Sequence, residues 1–345
     1  MLNQVLTRLI LCLSVVILIA SCKQKETSST EQEIKTIGSI ERIDPALNDI
    51  IKEDAVIEII SEGYDWSEGP LWLPGHKTLI WSDVPKNTVY KWTEEGGTEI
   101  YLTPSGYTGD TPTLSQEPGS NGLILRGDNK LVLCQHGDRR MAVMDAPLDN
   151  PSPTYSPIAA TYDGKRFNSP NDATYRSNGD LFFTDPPYGL PSKNEQDSTK
   201  EIPFQGVYKV TTGGEVILLV DSITRPNGIA LTPDEKTLIV ANSDPNKAIW
   251  YAFDFDENDA LTNARIYYDA TAEGKTERGL PDGFKIDKAG NMFASGPGGI
   301  WIFNKDGKVI GKIKLPDSAS NCGLGEDDKT LFITNDAYVL RVKMR

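Results

Sequence analysis

Five short units along this chain open with a carboxylate or a carboxamide. They are Glu68-Gly69-Pro70-Leu71, Asn121-Gly122-Leu123-Ile124, Asn171-Asp172-Ala173-Thr174, Asn227-Gly228-Ile229-Ala230 and Asp282-Gly283-Phe284-Lys285. A sixth, degenerate unit reads Asn321-Cys322-Gly323-Leu324. Brought together in a narrow space, Glu68 and Asp282 would repel each other, and each would lose several kcal/mol on desolvation. A divalent cation cancels both charges and takes the carboxamide oxygens as further ligands. Calcium accepts six to eight oxygens with loose geometry, which suits this set; magnesium and manganese use similar donors. Zinc fits less well because it favours nitrogen and sulfur. Beyond Cys22, only His76, His136, Cys134 and Cys322 offer such ligands, and none of them are spaced as zinc ligands are. The alternative for the openers is that they cap strand ends and bind channel water; their common register disfavours it.

The elements that must carry these residues follow from what comes after each one. Ten or eleven residues beyond each opener an apolar run begins, at Leu79, Leu131, Leu181, Leu238, Met292 and Leu331. These starts are 52, 50, 57, 54 and 39 residues apart. A period near fifty with several short strands per unit is the mark of a β-propeller. In the third unit, Asn171 to Arg176, Leu181 to Asp185, Gly206 to Val210 and Glu215 to Val220 read as four strands. Ser177-Asn178-Gly179-Asp180 and Thr211-Thr212-Gly213-Gly214 are its hairpin turns. The sequence therefore predicts an all-β, six-bladed propeller with the openers around its axis. The sixth unit ends after its third strand, whereas Ala55 to Ile60 forms a strand without a blade. That strand is expected to close the ring as the outer strand of blade six, hiding edges that invite aggregation.

Two connections exceed ordinary loops, Thr103 to Ser120 and Pro186 to Gln205. Both would emerge on the face that bears the openers, where lids and specificity elements sit. A second polar tier stands where the second strands end: Asp83, Gln135, Asp185, Asn242, Gly296 and Asn335, with His136 beside Gln135. Asp185 and His136 are candidates for substrate contact. His136 titrates near neutrality, so it could enter the chemistry or be a structural hydrogen-bonder. Arg139 and Arg140 could bind an anionic or hydroxyl-rich substrate or a neighbouring carboxylate.

The chain has 345 residues and a formal charge of −14, from 35 Lys and Arg against 49 Asp and Glu. This disfavours nucleic acid through phosphate repulsion. Arg8 followed by the apolar stretch Leu9 to Ala20 reads as a signal peptide over residues 1–21. Ile19-Ala20-Ser21-Cys22 resembles a bacterial lipobox, so Cys22 is the expected lipidation site and the lipid the only membrane attachment. Residues 22–50 are read as lipidated cysteine and flexible tether, and 51–345 as the propeller, in an exported protein facing the periplasm or the cell surface. Cys134 and Cys322 are too few for a disulfide framework and read as buried small hydrophobes. There is neither a Gly-x-Ser-x-Gly elbow nor a phosphate-binding glycine loop ahead of a helix. Calcium acidifies water less than zinc does, so an activated ester or lactone is the expected substrate rather than an amide.

Ser67-Glu68-Gly69-Pro70-Leu71-Trp72, Ser169-Pro170-Asn171-Asp172, Arg225-Pro226-Asn227-Gly228 and Pro281-Asp282-Gly283 resemble the gluconolactonase and regucalcin (senescence marker protein) family. Phe183-Thr184-Asp185-Pro186-Pro187-Tyr188-Gly189 is similar to a stretch of its bacterial lactonase branch. The resemblance runs from about Ile57 to Arg345. It implies a six-bladed propeller that hydrolyses sugar lactones with one axial divalent cation. Carried over by position, it implies metal ligands at Glu68, Asn227 and Asp282, with Asn171 at the metal and substrate site. It also implies Asp282 as general base. Asn121-Gly122 and Gln135-His136-Gly137 resemble the related paraoxonases, which carry histidine at both places; here only His136 does. That departure favours Asp282 over a histidine dyad. Asn121 and Asn171 are expected to orient the lactone ring. Three readings follow: a membrane-tethered lactonase, a calcium-plugged envelope propeller binding a sugar or partner protein, and a hydrolase of other esters.

Overall fold

The computed structural model describes residues 34–345. The expected signal peptide, the lipidation site at Cys22 and the tether up to residue 33 lie outside the described residues. Six sheets of antiparallel strands form the six blades, each with its first strand innermost and a hairpin connecting neighbours. Blade one comprises Ser67–Leu73, Thr78–Asp83, Thr88–Thr93 and Gly97–Leu102. Blade two comprises Ser120–Leu125, Leu131–Gln135, Arg140–Met144 and Tyr155–Ala159, and blade three Ala173–Tyr175, Leu181–Asp185, Gly206–Val210 and Val216–Val220. Blade four is built from Pro226–Leu231, Thr237–Asp244, Lys247–Phe255 and Leu261–Asp269. Blade five holds Phe284–Ile286, Met292–Gly296, Gly299–Phe303 and Val309–Lys314; blade six holds Ala319–Gly325, Thr330–Asn335 and Tyr338–Lys343.

Blade six is completed as the sequence implies. Ile57–Glu62 pairs antiparallel with Tyr338–Lys343, with Ile57 opposite Val342 and Glu62 opposite Tyr338. Long-range pairing of the first and last blade strands locks the ring, since neither can leave without exposing a row of unpaired backbone groups.

One boundary differs from the sequence expectation. The compact unit that holds the propeller begins at Ile34, not at residue 51. Ser39–Arg42 pairs with Val309–Lys314 as a fifth, outermost strand of blade five. A short 3-10 helix, Pro45–Asp49, follows, capped by the Asp44 carboxylate that accepts from the Ala46 N–H. It drives Leu47 into the core, where Leu47 and Ile51 are fully buried. Gly311 admits this approach, because a Cβ there would lie 2.4 Å from Cδ2 of Leu47. A charged segment reads as tether when its few isoleucines and leucines have no local partner; here their partner is blade five, 267 residues away in sequence at the Ile43 to Ile310 hydrogen bond.

Between the blades, alternating inward residues of adjacent sheets make the core. Trp81, Trp250 and Trp301 are its largest buried side chains. Cys134 and Cys322 are free thiols inside these clusters, packed as small apolar groups. Among the described residues no helix is long and apolar enough to cross a membrane.

Candidate functional site

Local backbone geometry turns each opener toward the axis. In blades one, two, four and six the register between first and second strands slips at the opener, between Glu68 and Leu71, Ser120 and Leu123, Pro226 and Ile229, and Ala319 and Asn321. Each slip is a β-bulge, which bends the strand and re-aims a side chain. Asn171 and Asp282 stand just ahead of their strands, and their N–H groups donate to Thr184 O at 2.9 Å and Ser295 O at 3.3 Å.

The glycine after the opener has a physical cause. A Cβ on Gly69 would lie 2.4 Å from the backbone oxygen of Asn121, one on Gly122 2.7 Å from that of Asn171, and one on Gly228 2.3 Å from that of Asp282. The glycines therefore let neighbouring openers approach closely enough to share one centre. Hydroxyls from the second strands hold the openers' backbones: Ser82 Oγ donates to Asn121 O at 3.0 Å, and Thr184 Oγ1 to Asn227 O at 2.7 Å.

Glu68, Asn121, Asn171, Asn227 and Asp282 all line one axial cavity of about 380 Å³, together with Trp66, Glu117, Tyr188, Arg225, Ser243 and Leu280. Oδ1 atoms of Asn121, Asn171, Asn227 and Asp282 are buried and have no hydrogen-bond partner. Four lone oxygens facing one space is costly unless something positive fills it. The Asn227 carboxamide is fixed in this sense, since its Nδ2 donates to Ser243 Oγ at 2.9 Å. Glu68 uses Oε2 to accept from the Gly69 N–H at 2.7 Å, and its other oxygen is not engaged by that donor. Burial, then the nearby Asp172 carboxylate, pushes the Glu68 carboxyl up to about 8. Burial, then Glu68 and Asp172, holds Asp282 well above the usual carboxylate range. Among the described residues no three His, Cys, Asp or Glu side chains form a metal cluster. The donor set fits a hard cation all the same, because three of its five oxygen-bearing side chains are asparagines.

Outside the cavity lining, and joined to Glu68 through Asn321, stands a charged cluster that the sequence does not single out. Asp172 is 2% exposed, and its Oδ2 lies 3.6 Å from Lys285 Nζ. Asn321 Nδ2 lies 3.4 Å from Asp172 Oδ2, and Lys285 Nζ lies 3.3 Å from Asn321 Oδ1. The signal for both residues was their place in the repeated unit, at an opener or directly after one.

The second polar tier does not reach the axis. Asp185 is fully buried and spends both oxygens on backbone, accepting from the Asn168 N–H at 2.8 Å and the Ser169 N–H at 2.7 Å. Burial pushes its carboxyl up to about 7. Asp83 likewise accepts from the Asp65 and Trp66 N–H groups, and Asn242 from that of Arg225. These three residues hold the loop that enters their own blade, which is why a polar residue stands at the end of the second strand there. Asp185 is thus corrected from substrate contact to loop anchor.

His136 is also outside the cavity lining. It is fully buried, neither ring nitrogen has a hydrogen-bond partner, and its Nδ1 stands 4.0 Å from Glu117 Oε2. Burial, then the charge of Lys193, lowers it to about 3, so the ring stays neutral. A Cβ on Gly189 would meet the His136 Cβ at 2.6 Å, so the long loop packs directly against this residue. Arg139 donates to Phe167 O at 2.6 Å and Thr199 O at 3.0 Å, and Arg140 pairs with Asp138 at 2.9 Å; both are structural.

Fold and cavity together define a six-bladed propeller with an oxygen-lined axial centre. The pattern of the SMP-30/gluconolactonase/LRE-like region matches residues 66–337, and the chain belongs to this family. It is 39% identical to a gluconolactonase of Zymomonas mobilis over 90% of this chain and 87% of that one. A gluconolactonase structure from Xanthomonas campestris superimposes with a TM-score of 0.77 at 30% identity, covering 90% of this chain and 97% of that one. A calcium-binding protein, regucalcin, from Agrobacterium tumefaciens shares the fold at 18% identity and a TM-score of 0.63, covering 83% of this chain and 94% of that one.

Proposed function

We propose that this protein hydrolyses sugar lactones with the help of one divalent cation, calcium being the best fit. The observation that carries the reading is the set of four buried, partnerless Oδ1 atoms of Asn121, Asn171, Asn227 and Asp282 around one cavity. Membership of a family whose relatives include gluconolactonases supports the reaction class. Glu68, Asn171, Asn227 and Asp282 would hold the ion. When bound, it supplies the positive charge that polarises a lactone carbonyl and balances charge developing on its oxygen.

The chain's own residues do the remainder. Asn121 and Asn171 offer carboxamides to the ring and its hydroxyls. Asp282 removes a proton from the water that attacks the carbonyl carbon, and returns it to the ring oxygen as the ring C–O bond breaks, giving the open hydroxy acid. It can be both ligand and base only by dividing these tasks between its two oxygens. Trp66 and Leu280 supply an apolar wall.

The test is hydrolysis of a panel of aldonolactones with and without chelator, with cations added back, for the natural chain and for Asp282→Ala. The reading expects chelator-sensitive hydrolysis that Asp282→Ala abolishes while its circular dichroism is unchanged. Absent hydrolysis beside chelator-sensitive melting would instead favour a calcium-plugged binding propeller. Activity on aryl or phosphate esters alone would redirect the substrate class.

We further propose that the protein is exported and tethered through a lipid on Cys22, which rests on the Leu9 to Ala20 stretch and Ile19-Ala20-Ser21-Cys22. Cys22→Ala should then leave the membrane fraction; an unmodified chain found only in the soluble fraction would contradict this.

A further inference from the structure

The segment from Pro186 to Gln205 is a built strap that meets the cavity at Tyr188 and through ion pairs to two of its lining residues. Leu190 and Ile202 anchor it, each 1% exposed. Asp197 ties its middle, accepting from the N–H groups of Ser192 at 2.7 Å and Thr199 at 2.8 Å. Asn168 Nδ2 donates to Phe204 O at 2.9 Å near its end. From this fixed strap two opposite charges, two residues apart, reach two different partners. Lys193 Nζ lies 2.7 Å from Glu117 Oε1, and Glu195 Oε1 lies 2.5 Å from Arg225 Nε. Glu117 and Arg225, the two partners, both line the axial cavity.

These ion pairs are part-exposed, with side chains 16–34% accessible, so their net stabilisation is small. What they fix is orientation. Glu117 comes four residues before Asn121 and Arg225 two before Asn227, and all four line the same cavity. The pair to Glu195 uses Nε and Nη2 of Arg225, so Nη1 is not committed to it. A carboxylate only accepts hydrogen bonds and a guanidinium only donates them. A hydroxyl group can satisfy either. An unsubstituted lactone ring has acceptor oxygens alone and nothing to give Glu117.

We infer that Glu117 and Arg225 recognise the hydroxyls of a neutral, polyhydroxylated lactone, and that Lys193 and Glu195 are positioning residues that hold them there. This rests on the lactonase reading above. The strap thereby selects hydroxylated over bare rings, because a site built to hydrogen-bond a hydroxyl discriminates against the analogue without it.

Steady-state kinetics on glucono-δ-lactone and δ-valerolactone test it. Glu117→Leu and Arg225→Met should each raise KM for the hydroxylated lactone roughly ten-fold or more, with valerolactone changed less than about two-fold. Lys193→Met and Glu195→Gln should move the same ratio in the same direction, by roughly three-fold. Equal losses on both lactones, or none, would overturn the assignment. A second arm needs no turnover: calorimetric binding of methyl glucoside should weaken in Glu117→Leu and Arg225→Met, and unchanged binding would overturn it too. If the natural chain hydrolyses neither lactone, the lactonase reading fails, and the methyl glucoside arm still decides the recognition assignment. Circular dichroism of each variant separates unfolding from lost recognition.

Discussion

Asn321 Nδ2 lies 3.3 Å from Glu68 Oε2, so the last blade donates a hydrogen bond to the first across the closure of the ring. The residues are 253 apart in sequence. Asn321 also bonds Asp172, so one amide separates two carboxylates that would otherwise face each other. The degenerate sixth unit is therefore the residue set that steadies Glu68. Glu68 Oε2 thus accepts from both the Gly69 N–H and Asn321 Nδ2.

Asn321→Leu should destabilise the protein by roughly 1–3 kcal/mol, the cost of leaving buried acceptors unpaired. It should also weaken calcium binding, since Glu68 loses its support. Chemical denaturation and calorimetric titration would check both; a variant that melts and binds like the natural chain would show that Asn321 is dispensable.

Gly228→Ala probes the close approach of neighbouring openers. Its Cβ would sit 2.3 Å from the backbone oxygen of Asp282, with no flexible side chain to yield. The expected cost is roughly 1–3 kcal/mol of overpacking, with activity falling further because Asp282 is displaced. Alanine at Gly213, whose nearest neighbour would be 3.6 Å away, should change neither; it serves as the control.

Stability of the cation-free protein should depend on pH in a particular sense. Glu68 is raised from 4.5 to about 8 in the fold, and Asp282 is raised as well, in both cases chiefly by burial. Between those values the folded state binds more protons than the unfolded chain, so stability falls as pH rises from about 4.5 to about 8. Melting in chelator should show this fall, and saturating calcium should abolish it. A chelated protein equally stable across that window would contradict the burial of uncompensated carboxylates.

His136 gives the opposite slope. It is lowered from 6.5 to about 3, so the folded ring is neutral while the unfolded one takes up a proton below 6.5. Its contribution is complete above 6.5 and is lost as pH falls toward 3. His136→Leu should therefore lose less stability than the natural chain over that range. Lactone turnover should change by less than about two-fold, because the ring stands behind Glu117 and is not itself part of the cavity lining. A large loss of turnover in a folded His136→Leu would return histidine to the chemistry.

Much of this was legible in the chain because it is encoded locally. The turn chemistry of Ser177-Asn178-Gly179-Asp180, the apolar runs at Leu131 and Met292, and the spacing of openers define blades without knowledge of contacts. The axial set was legible because one residue at a fixed place in each blade, at a first-strand bulge in four blades and just ahead of the first strand in the other two, is aimed inward. Other residues depend on distant partners. The strand Ser39–Arg42 is indistinguishable from tether until blade five is present to receive it. Asp185 looks the same in sequence whether it faces a substrate or the backbone of Asn168 and Ser169. Glu117, Tyr188 and Arg225 reach the cavity from non-repeating segments or from just ahead of a strand, where periodicity carries no information.

The most direct measurement is a calorimetric titration of calcium into chelator-treated protein, for the natural chain and for Asp282→Asn. Convergence of the openers on one centre predicts a single site per chain that is lost or strongly weakened in the variant. No binding by the natural chain at millimolar calcium, or equal binding by both proteins, would contradict it.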